Sequence, residues 1–169
     1  MIASAPSPSN GTGYGEWGGH LVVLELDRDK WTQYSDDLGY ASGVAEKNGN
    51  VYVAWSMSHM MADARLRIHR PDVSVDRAFP ALDKHYYQKL AFGIDGQLHA
   101  IDREELVKLV DGAPVHVANL GGLPYVQEPM AVGVAPAVVQ LLPLDANTFM
   151  VGTRASGPLV VRNGAVRKL

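Results

Sequence analysis

At 169 residues, with 47% hydrophobic and 20% charged positions, the chain has the make-up of one globular domain with a sizeable core, not of a disordered segment. A formal net charge of −3 supplies no global attraction to nucleic acid or to an anionic membrane surface. The absence of cysteine excludes disulfides, thiolate zinc sites and cysteine nucleophiles together.

Residues 1–19 are rich in Ser, Pro and Gly and are predicted to form a flexible lead-in, with Gly15-Glu16-Trp17 as a remnant strand. They lack the basic start and apolar run of a secretory leader, and no later apolar stretch is long enough to span a bilayer. A cytoplasmic or virion-associated location is therefore expected. From residue 20 the pattern turns to strands. Over 20–35, Leu21, Val23, Glu25 and Asp27 alternate with Val22, Leu24 and Leu26, and Asp29-Lys30 supplies a turn. Residues 36–42 connect to a second unit, in which Gly43–Lys47 and Val51–Trp55 flank the turn Asn48-Gly49-Asn50. A Met-rich loop over 56–63 precedes a hairpin over 64–79, where Arg65, Arg67 and His69 alternate with Leu66 and Ile68. That alternation predicts a solvated outer face.

A third unit has Leu90–Ile94 and Leu98–Ile101 around Asp95-Gly96-Gln97, then a hairpin over 105–119 turning at Asp111-Gly112. The segment Glu104–Val110 also suits a short helix by pattern, but Asp111-Gly112 places a hairpin turn where a repeat requires one. Residues 119–135 form the longest connection. The last unit has Gln140–Leu144 and Thr148–Val151 around Asp145-Ala146-Asn147, then a hairpin over 158–169 turning at Asn163-Gly164.

Three A–B hairpins and four C–D hairpins thus recur at roughly the ~40–50-residue spacing of propeller blades, with strands named A to D in order. The fold expected is all-β. It is a β-propeller-like array of about four blade modules, each a four-stranded antiparallel meander, over 20–35, 40–79, 86–119 and 137–169. The first blade is expected to be incomplete, because only its C–D pair is visible and no apolar segment after Leu169 returns to fill it. The segments NTFMVGTRASGPLVVRNGAVRKL and LAFGIDGQLHAID resemble the blades of two-component-regulator and NHL-type β-propeller repeats. That resemblance implies a propeller and no shared catalytic residue, since propellers host unrelated functions.

In such a meander the A–B and C–D turns lie at one end and the B–C and D–A connections at the other. The A–B and C–D turns of this chain are all short, and the long connections 56–63, 80–85 and 119–135 fall at the second end. Binding residues concentrate on loops held by a rigid scaffold, so the second end is the expected site. It would present Tyr40, His59, Met60, His85, Tyr86, Arg103, Tyr125, Glu128 and Arg154, a mixture suited to an interaction surface.

Ser56, Ser58, His59 and Asp63 share one loop without the elbow that exposes a nucleophilic serine, so a hydrolytic triad is not read there. The six histidines show no metal-ligand spacing, and no phosphate-binding glycine loop occurs. No cofactor or metal is implied. The expectation is a non-catalytic binding module for a protein or glycan partner, with self-association or a second chain completing the propeller. Two other readings stay open: a propeller-type hydrolase or lactonase with a central pocket, and a structural part of a larger, virion-like assembly.

Overall fold

The computed structural model describes residues 2–6, 19–35, 40–57, 63–70, 75–78, 87–121, 138–154 and 156–169. Among them all regular structure is strand, in four antiparallel sheets. Sheet I contains β1 (Ile2–Pro6), β2 (Gly19–Glu25) and β3 (Lys30–Ser35). Sheet II contains β4 (Tyr40–Lys47), β5 (Asn50–Met57), β6 (Asp63–His69) and β7 (Val75–Ala78). Sheet III runs through β8 (Tyr87–Phe92), β9 (Leu98–Asp102), β10 (Glu105–Val110) and β11 (Ala113–Asn119). Sheet IV runs through β12 (Val138–Asp145), β13 (Thr148–Thr153), β14 (Leu159–Arg162) and β15 (Ala165–Lys168). In each sheet, sequence neighbours are paired neighbours.

The turns explain why the meanders form. Asn48-Gly49, Asp111-Gly112 and Asn163-Gly164 each hold both central residues at positive φ, between 49° and 80°. This is the backbone of the two-residue turn whose twist matches the flanking strands, and Asn, Asp and Gly adopt it most readily. The turn after β12 is built differently. Neither Ala146 nor Asn147 has a positive φ, and the Asp145 carboxylate instead accepts the Asn147 N–H at 2.8 Å. That N–H first, and nearby Arg162 to a smaller extent, hold the exposed Asp145 carboxyl below its ordinary value.

The last meander also departs by one residue from its expected alignment. Lys47 pairs with Asn50 and Asp145 with Thr148, so Ala146-Asn147 matches Asn48-Gly49. In a strand a one-residue slip exchanges the two faces, so Phe149 takes the side that Val51 takes in sheet II.

Two expectations are corrected. The lead-in over 1–19 is not all lead-in: Ile2–Pro6 pairs with β2 from Ile2↔Val23 to Pro6↔Gly19, giving the first sheet a third strand. An edge strand with unpaired N–H and C=O groups recruits whatever extended segment is near, even one of low apolar content. Gly15-Glu16-Trp17 lies outside the described residues. The Arg67/His69 face is not solvated either. His69 is fully buried beside Trp55, and the half-buried Arg67 gives its guanidinium N–H to the Leu66 carbonyl at 3.0 Å. Burial there follows from packing between sheets, which alternation within one strand does not reveal.

The sheets stack face to face in chain order. Ala54 and Leu66 of sheet II pack with Tyr87, Leu90, Leu98, Ala100, Val107 and Leu109 of sheet III. Ile101, Leu106 and Ala118, on the opposite face of sheet III, pack with Leu141, Phe149, Val151, Leu159 and Val161 of sheet IV. Sheet III therefore reads apolar on both faces, as expected of a sheet covered on both sides. The first strands follow one another, β4 against β8 and β8 against β12, while β1 and β2 lie on β4.

Candidate functional site

The two ends of the stack differ in what their polar groups do. At the A–B/C–D end they tie neighbouring turns together. Lys47 donates to the Gly96 carbonyl and lies 5.1 Å from the Phe92 ring centre, and Lys108 stands 4.0 Å from Asp95. Beneath them His99 is 3% exposed, with its ring 4.6 Å from that of Phe149. Its Nδ1–H donates to the Gln97 carbonyl at 3.1 Å, so Nδ1 carries the proton of the neutral ring.

Burial is the main cause holding the His99 pKa below its ordinary value, against smaller opposing effects of the Gln97 carbonyl and Asp95. The unfolded chain therefore takes up a proton on this histidine at higher pH than the folded one. Stability from this group is fully present above the unfolded value of ~6.5 and falls as pH drops toward the folded value. The melting temperature is expected to decline from pH 7.5 to 5.5, and His99→Phe to flatten that decline. An unchanged slope in the variant would remove His99 as its source.

The B–C/D–A end is built to present side chains. Arg103 and Glu104 form the tight turn between β9 and β10, with Arg103 at φ 54°. Leu120 donates its N–H to the Glu104 carbonyl at 2.6 Å, which pins the start of the following connection to this turn. Gly121 N–H is held by the Asn119 side chain, also at 2.6 Å. One sheet over, the Thr153 hydroxyl donates to the Gly157 carbonyl at 2.6 Å and accepts the Ser156 N–H at 3.1 Å. This clasp, with Gly157 at φ 76°, fixes the loop that carries the exposed Arg154.

The half-buried Lys89 of β8 has its ammonium pKa lowered, first by burial and second by the Arg154 charge. Tyr87, 1% exposed, pairs in register with Asp102 across β8 and β9. Burial first, and the Asp102 carboxylate second, hold its phenol well above the ordinary range, so it stays protonated. Tyr87 packs with Leu90 on the sheet II side of β8, and the Lys89 ammonium of the same strand is influenced by the Arg154 charge of sheet IV. Like charges that influence one another add to the local positive potential.

Of the expected site residues, Arg103 and Arg154 stand at this end. Tyr40 opens β4, paired with Ser56. His59, Met60, His85, Tyr86, Tyr125 and Glu128 lie outside the described residues. Lys89, Tyr87 and Asp102 were not expected. The sequence signal for Lys89 is a lysine in a strand whose last three residues, Leu90, Ala91 and Phe92, are apolar. Among the described residues, no three His, Asp or Glu side chains gather closely enough to hold a metal ion. Comparison with the sequence models of protein families and with curated proteins gives no match.

Proposed function

We propose that the chain is a non-catalytic binding module of β-propeller type, whose B–C/D–A end receives a protein or glycan partner through the partner's anionic groups. Four sheets stacked in chain order, with first strands following one another, support the blade-like arrangement, sheet I being one strand short. The influence of the Arg154 charge on Lys89, beside the Thr153–Gly157 clasp, supports the choice of site and of partner charge. At the opposite end Lys47 of sheet II is tied to the Gly96 carbonyl of sheet III.

The test is surface plasmon resonance against immobilised sulfated glycans, sialylated glycans and a glutamate-rich peptide. Binding of at least one class is expected, with Arg154→Ala and Lys89→Ala each weakening it about tenfold, the scale of one charge-assisted contact. Arg154→Ala should leave stability within roughly 0.5 kcal/mol, as for an exposed loop position. Silent variants at this end, with loss of binding on changing Asn48, would place the site at the other end. No binding to any of the three would overturn the anionic partner.

A further inference from the structure

Most described residues on one face of sheet IV are exposed or half-buried, Thr148 being the buried exception, and what the face carries matches the far end of the stack. By register, Leu142, Met150 and Val160 form a row across three strands, and Thr148 pairs with Arg162, and Val160 with Arg167, on the same face. Leu142 is 47% exposed, Met150 and Val160 are half-buried, and Arg162 and Arg167 are exposed. The corresponding faces of sheets II and III, bearing Leu66 and Leu106, are each covered by the next sheet. In sheet I, Trp31 lies opposite Leu24 and is 60% exposed. The turn beside it presents Leu26, 71% exposed, with exposed Asp27 and Asp29, while Arg28 is paired with Glu25 at 3.3 Å.

The joint between sheets III and IV indicates how a further sheet would sit. There the C–D turn of the later sheet rests on the last strand of the earlier one: a Cβ on Gly164 would lie 3.0 Å from the Val117 carbonyl oxygen. Repeating that step brings a C–D turn onto β15, whose four residues are all exposed and include Arg167 and Lys168. Among the described C–D turns, 26–29 presents an exposed apolar residue with two exposed carboxylates, next to exposed Lys30.

Resting on the propeller-type stacking proposed above, we infer that the open face of sheet IV docks sheet I of a second copy of this chain. Leu24, Leu26 and Trp31 cover the Leu142–Met150–Val160 row. Asp27 and Asp29 meet Arg162, Arg167 and Lys168. Two such joints close a ring of two copies and eight sheets, within the usual four to eight blades of a propeller.

Sedimentation equilibrium of the full chain tests this. The expected mass is twice 18.3 kDa, with association weakening as salt rises. Two charge-reversal variants are compared: Arg162→Glu with Arg167→Glu, and Asp27→Lys with Asp29→Asn. Asparagine is used at 29 because that residue sits at φ 47°. Each variant alone should raise the dissociation constant about tenfold or more, since both of its joints then set like charges together. An equimolar mixture should recover the wild-type constant, because in the mixed pair both joints unite opposite charges. Leu142→Asp, which leaves every cation in place, should also yield monomers. A wild-type monomer at all concentrations, or variants that fail to rescue each other on mixing, would overturn the inference. A monomer that still binds anionic glycan would sink only this inference; a dimer that binds none of the probes would sink only the proposed function.

Discussion

Phe149→Ala is expected to destabilise the protein by about 3–5 kcal/mol, the cost of removing a buried aromatic ring and leaving its cavity. Phe149 is 2% exposed and stands where sheets III and IV meet, against His99 and among Leu141, Val151 and Val161. A sheet in a stack is held by its own pairing and by the neighbour it covers, so stability is roughly a sum of such local contributions. The loss should therefore be uneven. Hydrogen exchange is expected to accelerate most in β12 to β15 and least in β4 to β6, while urea denaturation reports the total. A cost below about 1 kcal/mol, or uniform acceleration across all sheets, would show that sheet IV is not held through this ring.

Trp55→Ala should cost a similar ~3–5 kcal/mol, through the opposite end of the stack. Trp55 is 1% exposed on the sheet II face that also buries Val51, Val53 and His69. Its indole N–H points at His69 Nε2 at 3.4 Å, with the rings at 73° and 6.2 Å between centres. That contact requires an unprotonated Nε2, hence a neutral His69 with its proton on Nδ1. Trp55→Phe separates volume from hydrogen bonding. It keeps most of the buried ring and removes the donor, so about 1–3 kcal/mol is expected, the penalty for a buried acceptor that loses its partner. Circular dichroism in urea is the appropriate readout, since Trp17 and Trp31 complicate fluorescence. Equal losses in the two variants would mean that the hydrogen bond, not the filled space, is what Trp55 contributes.

The paired strands and their hairpins were legible because their causes are local. Asn48-Gly49, Asp111-Gly112 and Asn163-Gly164 carry the positive φ their turns need, and two-residue alternation marks the strands between them. The same local signals resolved Glu105–Val110 as a strand despite its helix-compatible composition. What only the tertiary structure decided depends on neighbours distant in sequence. Ile2–Pro6 became a strand because β2 offers it an unpaired edge, not because of its own pattern. Arg67 and His69 alternate with apolar residues like a solvated face, yet His69 is sealed by packing between sheets. The influence of the Arg154 charge on Lys89 joins residues of two sheets 65 positions apart in sequence. Turn chemistry acts over two to four residues and so is written in the sequence; which face is covered, and which charges meet, is set when one sheet lies against the next.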